Sequence, residues 1–298
     1  MRNADKHSFD AFLATVAMIR RCVVWKAVAI MFVAMSMIPA GDLCGKLLTG
    51  QHNASPVFVA WSRFALGTAM VLPFAGLSGL PLLRDWRIWL RAGLLAGGIF
   101  SIQTALSTEP LADVFAAFFV GPIFSYVLAA IFLKERAGLL RTGLIIIGFC
   151  GVLLVVRPGL GGSPGLLWAV LAGLCYGAFL TASKWVSGTG HPVALIFTQL
   201  FLSALFMAPL GLASLPPMTA PVVALTVGSA AFSTAGNLLL LYAYAWSAAT
   251  ALAPLIYFQL ISATVLGWLV FSDLPDIYTW TGLVLIIGAG LMSATLRR

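Results

Sequence analysis

Charge is what this chain has least of: Asp, Glu, Lys and Arg together make up only 9% of its 298 residues. A soluble domain carries about a quarter, because its surface faces water, so an ordinary soluble fold is excluded. Histidine is scarce too, and His7, His52 and His191 all fall in the N-terminal tail or in loops. The chain has no HExxH and no GxSxG, which argues against an intramembrane hydrolase, a metal centre or a cofactor. It also has no GxxxxGK[ST] phosphate loop, which excludes a nucleotide-driven pump within this chain. The four cysteines, Cys22, Cys44, Cys150 and Cys175, show no CxxC spacing. They read as small apolar fillers rather than disulfides or ligands.

What fills the chain instead is apolar sequence, with 61% hydrophobic residues and a mean hydropathy of +1.03. A bilayer core of about 30 Å takes roughly 20 apolar residues per helix. Ten spans fit between the clusters of charge, Gly and Pro: about 24–48, 56–77, 88–107, 110–133, 139–157, 165–186, 192–213, 221–243, 249–271 and 278–296. The runs are too long and too evenly apolar for barrel strands, so the expectation is an all-α membrane protein with ten transmembrane helices. Connections such as 187–191 leave no room for a separate extramembrane domain.

The formal net charge of +8 is topological. Arg2, Lys6, Arg20, Arg21 and Lys26 precede the first span; Arg84, Arg87 and Arg91, then Lys134, Arg136 and Arg141, then Lys184, then Arg297 and Arg298 follow in alternate loops. Those are 14 of the 17 basic residues, and with ten spans all lie on one side. The positive-inside rule puts both termini in the cytoplasm of a bacterial-type inner membrane, and the same pattern argues against nucleic acid as a partner. Residues 1–23 end in Arg20 and Arg21 rather than a cleavage site, which suits a cytoplasmic or interfacial segment.

The chain also repeats itself at offsets of 136 to 139 residues. Pro56 and Pro73 fall on Pro192 and Pro209, Ala105 and Glu135 on Ala243 and Asp273, and Gly143 and Gly151 on Gly282 and Gly290. Five spans in each copy, 24–157 and 165–296, force the copies to cross the membrane in opposite senses. Inverted repeats of this kind build secondary transporters whose two halves exchange conformations.

The stretches "ALSTEPLADVFAAFFVGPIF…FLKERAGLLRTGLIIIGFCGVLLVVRPG" and "LAPLIYFQLISATVLGWLVFSDLPDIYTWTGLVLIIGAGL" resemble the ends of the two repeats in the drug/metabolite transporter superfamily, EamA type. "GDLCGK" with "WSRFALG" is similar to the branch labelled S-adenosylmethionine importers. The resemblance covers about residues 25–296. It implies a ten-helix carrier with a central cavity, moving small metabolites, amino acids or drugs by alternating access. Export resembles the superfamily's commoner role; import of S-adenosylmethionine or a similar metabolite is the alternative. The expected partners are a small-molecule substrate and the lipid bilayer, in a monomer or weak homodimer. Lys134 and Ser272 depart from the resemblance, standing where Gly usually precedes the acidic residue, and Glu109 stands where a neutral or aromatic residue is expected.

At 1.5 Å per residue, Asp42 lies about 9 Å inside the outer end of span 1, Arg63 about 10 Å below the surface and Asp113 about 6 Å down. Lys46, Glu109 and Arg157 sit nearer the rim, so six charges share one depth band. The counterparts of Asp42, Arg63, Glu109 and Asp113 are Ala178, Gln199, Ser247 and Ala251, all uncharged. Three readings stay open: Glu109 and Asp113 complement the dipole of their own helix, with Thr108 as cap, while Arg63 snorkels; the six form an outer gate of ion pairs; or Asp42 or Asp113 exchanges a proton or binds a cationic substrate. Trp61, Tyr176, Gln199, Tyr257 and Gln259 lie near the midplane and Asn237 deeper, as candidates to line a substrate site. Pro122 and Pro254 are the candidate hinges.

Overall fold

A computed structural model describes residues 29–76, 79–132, 139–157, 163–186, 188–246 and 253–295. The N-terminal segment 1–23 lies outside the described residues. Ten helices run through the rest: α1 (Ala29–His52), α2 (Pro56–Ala75), α3 (Trp86–Leu106), α4 (Leu111–Phe132), α5 (Leu139–Val156), α6 (Gly165–Trp185), α7 (Pro192–Ala213), α8 (Ala220–Trp246), α9 (Phe258–Phe271) and α10 (Ile277–Thr295). A 3-10 turn, Ala253–Tyr257, leads into α9, and another, Leu80–Arg84, joins α2 to α3.

The helix starts follow from local chemistry, and equivalent helices use equivalent devices. Ser55 caps α2 by accepting from the Val57 N–H at 3.3 Å, with Pro56 at the first position. His191 caps α7 through Nδ1 at 3.4 Å from the Val193 N–H, with Pro192 in the same place. Proline suits that position because its missing N–H would have no partner there. Asp85 caps α3 at 3.0 Å from the Arg87 N–H, which starts the helix at Trp86 rather than at the expected 88.

Polarity is inverted relative to a soluble protein. Phe74, Phe132, Leu139, Ile277 and Val284 are exposed, while Asp42, Arg63, Arg91, Gln103 and Glu109 are buried. An apolar exterior around a polar interior is what lipid as solvent selects.

Packing follows a pseudo-two-fold relation in which helix n corresponds to helix n + 5. The pair α3 with α6 matches α1 with α8; α2 packs on its own counterpart α7, and α5 on its counterpart α10. The α5–α10 crossing is set by Gly151 and Gly282, which lie so close that a Cβ on either would stand 2.8 or 2.7 Å from the other's carbonyl oxygen. Gly121, Gly173 and Gly177 bring α4 onto α6 in the same manner.

Both α4 and the segment into α9 are broken, at equivalent residues. In α4 the break is Phe119 (φ −67°, ψ 2°), between Leu111–Phe118 and Val120–Phe132. In the second repeat the 3-10 turn ends and α9 begins at Tyr257, 138 residues on. Pro122 is therefore not itself the break. It sits in the first turn of the second half of α4, where no N–H is needed, and the discontinuity falls just before it. Pro254 likewise occupies the first turn of the 3-10 segment. The two breaks meet, with the Phe119 and Tyr257 rings 5.3 Å apart.

The described parts of the two broken halves differ. The first half of α4 is α-helical and packs on α6, α9 and α10 around Leu111, Val114 and Phe115, all fully buried. Its described counterpart, Ala253–Tyr257, is 3-10.

Candidate functional site

At the end of the bundle where α1 finishes and α4 starts, the Glu109 end, one buried network joins four helices. Arg63 on α2 donates from Nη1 to Asp42 Oδ1 on α1 at 2.6 Å, and from Nη2 to the Gly41 carbonyl at 3.0 Å and to Ser229 Oγ on α8 at 2.9 Å. Gln103 on α3 donates to the same Asp42 oxygen at 2.9 Å. Asp42 and Arg63 are 3% and 4% exposed, so the pair acts at low dielectric, where losing one partner leaves an uncompensated charge. Arg63 Nε and Gln103 Oε1 have no partner among the described residues.

The other charges of the expected band do not join this pair. Lys46 donates to the backbone carbonyl of Glu109 and lies 5.0 Å from the centre of the Phe271 ring. Glu109 turns away from its own helix: its carboxylate accepts from Ser163, just ahead of α6, and from the adjacent Thr108. Thr108 bonds the Ala105 carbonyl and Glu109 and does not cap α4, whose N-cap is Pro110. Asp113 does lie in the first turn of α4, and it accepts from Thr279 Oγ1 on α10 at 2.8 Å. Arg157 pairs with Asp276 at 2.8 Å and sits 5.0 Å from the Tyr278 ring. Partial burial pushes the Asp276 carboxyl up, but the Thr279 N–H and hydroxyl and the Arg157 guanidinium outweigh it and hold the group below the usual carboxylate range. Of the six band charges, Asp42 and Arg63 alone pair with each other among the described residues.

The opposite end holds a second buried arginine that the sequence places among the loop charges. Arg91, in the second turn of α3, is 6% exposed. It donates from Nε to Ser183 Oγ on α6 at 2.8 Å, from Nη1 to the Leu195 carbonyl on α7 at 2.9 Å, and from Nη2 to Gln199 Oε1 on α7. Its guanidinium carbon lies 5.1 Å from the Phe179 ring centre. In the repeat register, Arg63 corresponds to Gln199 and Arg91 to Ser229. The two hydrogen-bonded pairs, Arg63 with Ser229 and Gln199 with Arg91, therefore occupy the same pair of positions at opposite ends, the arginine having changed helix. This correspondence was the available signal for Arg91. Gln199, one of the midplane candidates, is thereby tied to Arg91.

Midway between the ends, Tyr176 and Tyr257 are linked by rings from the α4 break. Tyr176 is 5.1 Å from Phe118, Phe118 is 6.5 Å from Phe119, and Phe119 is 5.3 Å from Tyr257. A cavity of about 200 Å³ adjoins Phe119, Pro122, Tyr126 and Tyr257 between α4, α5 and α10. A second, of about 330 Å³, lies between α3, α4 and α6 toward the Arg91 end. Gln259 is buried on α9. Trp61 packs over Gly211 of α7 and on the cluster around Phe64 and Phe179 that Tyr176 also joins. Asn237 is exposed and donates to the Ser233 carbonyl of its own helix at 2.8 Å. Among the described residues, no group of His, Cys, Asp and Glu is placed to hold a metal ion, and Cys44, Cys150 and Cys175 are free.

The sequence profile of the EamA-like transporter family matches residues 25–157 and again 163–295. The S-adenosylmethionine uptake transporter of Rickettsia bellii is 28% identical over 261 residues, covering 85% of this chain and 87% of its own length. The riboflavin transporter of Rhizobium johnstonii is 28% identical over 240 residues, 78% of each chain. The pseudopaline exporter CntI of Pseudomonas aeruginosa is 28% identical over 240 residues, 78% of this chain and 83% of its own. A solved crystal structure superposes with a TM-score of 0.63 at 19% identity, covering 91% of this chain and 96% of the other, and shares the fold.

Proposed function

The chain belongs to the EamA-like transporter family, and from that membership and its geometry we propose that it is a secondary transporter moving a small organic metabolite across a bacterial inner membrane by alternating access. The repeats, 24–157 and 165–296, supply the two exchangeable halves, with residues 1–23 as a cytoplasmic or interfacial segment. The distribution of Lys and Arg supports cytoplasmic termini, which makes the Glu109 end the outer one and the Arg91 end the inner one. The protein is not an enzyme, takes no nucleic acid partner, and works as a monomer or weak homodimer.

The observation that carries this reading is the pair of breaks at Phe119 and Tyr257 with unequal halves around them. Discontinuous helices at equivalent places, one half α-helical and packed and the described part of its counterpart a 3-10 turn, suit an inverted-repeat carrier that closes one end at a time. Here the packed half closes the outer end, so this conformation faces inward. Asp42 with Arg63 contributes to that closure, and Tyr176, Tyr257 and the Phe118–Phe119 rings line the path.

Export is the proposed direction. Uptake of S-adenosylmethionine or a similar metabolite is the second reading, favoured by the likeness to the Rickettsia uptake transporters. Counterflow in proteoliposomes tests the proposal: preloaded solute should accelerate uptake of labelled solute, and the flux should saturate. A flux linear in concentration, without counterflow, would mean a pore and refute it.

A further inference from the structure

The cavity of about 330 Å³ at the Arg91 end opens sideways, on the face that lipid covers. Its walls are Leu90 and Leu94 on α3 and Leu128 and Phe132 on α4, and its floor is Ala178 and Ala182 on α6. Leu90 and Phe132 are 43% and 73% exposed, which leaves the rim open to the bilayer. The partners of Arg91 lie on α6 and α7, past the α3–α6 contact, so that arginine takes no part. The one hydroxyl in the lining, Thr181, is spent on the Gly177 and Ser125 carbonyls and the Ser125 hydroxyl. What fills such a space is hydrocarbon.

One end of this groove is cationic and aromatic. Arg87 precedes Leu90 and Leu94 at helical spacing, which places all three on one stripe of α3, about 10 Å long. Its guanidinium carbon lies 5.4 Å from the centre of the Trp185 ring, and Trp185 closes the α6 side of the groove. Trp86 stands 5.5 Å from the same ring, and tryptophans at exposed helix ends mark the headgroup level of a bilayer. Asp85 accepts from Nε and Nη2 of Arg87, and Nη1 donates to nothing among the described residues. Arg84, just before α3, and Lys184, in the last turn of α6, are exposed at the same end. Asp85 therefore offsets only part of the local positive charge.

We propose that this groove holds an anionic phospholipid, with one acyl chain laid over Ala178 and Ala182 between α3 and α4 and the phosphate at Arg87. A neutral lipid would fill the hydrocarbon part and leave the local positive charge uncompensated, whereas an anionic headgroup completes both. A second copy of the chain is the poorer occupant. Copies in one membrane share an orientation and would bring Arg84, Arg87 and Lys184 of each to one level, where like charges repel. The site requires that the chain span a membrane, and it is independent of whether the chain transports.

The test uses the purified full chain in dodecyl maltoside micelles, stripped of co-purified lipid. Native mass spectrometry counts bound lipid as dioleoyl phosphatidylglycerol or dioleoyl phosphatidylcholine is added. The first phosphatidylglycerol should bind at least about fivefold more tightly than the first phosphatidylcholine, the ratio a single basic contact at a membrane surface supplies. Arg87→Gln should remove that preference. Ala178→Phe, which fills the groove and leaves every cation in place, should weaken the first site for both lipids. Equal affinities in the parent, or a first site that responds to only one of the two variants, overturn the proposal. So does displacement of phosphatidylglycerol by glycerol phosphate, which would make this a phosphate site. A lipid-free dimer that Ala178→Phe breaks apart overturns it as well, and would make the groove an interface between copies.

Discussion

Asp42→Ala should be among the most destabilising single substitutions outside the apolar core. The carboxylate is 3% exposed and accepts from both Arg63 and Gln103. Removing it leaves a guanidinium, itself 4% exposed, with only the Gly41 carbonyl and Ser229 as acceptors among the described residues. Breaking a buried pair from one side costs about 3–5 kcal/mol. Gln103 is fully buried, and its Oε1 lacks a partner among the described residues; without Asp42 its Nε2 donor loses one too, at a further ~1 kcal/mol. We expect a loss of about 5 kcal/mol for Asp42→Ala. Asp42→Ala/Arg63→Met, which removes both charges, should recover about 2 kcal/mol of it. Denaturant unfolding of purified protein in detergent micelles, read by tryptophan fluorescence, measures all members of the cycle. A loss below about 1 kcal/mol for Asp42→Ala, or a double variant equal to the sum of the singles, would refute the view that the pair is a buried, interdependent unit.

Three further outcomes are expected. Ser272 ends α9 at φ 58°, a left-handed conformation in which a side chain is disfavoured; Ser272→Gly should raise stability by about 1 kcal/mol in the same unfolding assay. Gly151→Ala would push a Cβ to 2.8 Å from the Gly282 carbonyl and should cost about 1–3 kcal/mol, whereas Gly143→Ala, which meets nothing within 4 Å among the described residues, should raise the midpoint slightly because alanine favours a helix over glycine. Because Asp276 is held below its ordinary pKa, its contribution is full above the unfolded carboxylate value of about 3.9 and is lost as pH falls through the folded value. Below about pH 4 the unfolding midpoints of the parent and Asp276→Asn should therefore converge, and a constant difference down to pH 3 would count against the assignment.

Helix number and type were legible because each span is long, apolar and punctuated. Ser55–Pro56 and His191–Pro192 mark two starts in plain view. Which way a side chain faces was not legible, since depth follows from counting residues but azimuth depends on neighbours. Glu109 is the clearest case: its position at the mouth of α4 suggested that helix's own dipole, yet the 107–110 connection turns its carboxylate to α6. Proximity in sequence groups Arg91 with Arg84 and Arg87, although it lies a full turn inside α3 and is buried by α6 and α7. The repeat register would have paired it with Ser229, but that clue gains meaning only once α2 is known to touch α8. Pro122 signalled a discontinuity in α4 correctly in kind, while its place at Phe119 depended on where the new first turn could form.

The hydrogen bonds of α3 have a consequence for how the chain is made. This helix, with Arg87 and Arg91 near its start and Gln103 near its end, is not among the helices apolar enough to qualify as a span by composition. The acceptors for Arg91, on Ser183, Leu195 and Gln199, all belong to segments synthesised 92 to 108 residues later. Arg63 waits in the same way for Ser229, and α2 for α7. Until the later half arrives, the earlier half holds polar groups in or near the bilayer that nothing yet satisfies. Neither half is a finished piece when it leaves the ribosome. Each serves as the template on which the other completes its membrane insertion, and splitting the gene between them should yield two fragments that persist only when made together.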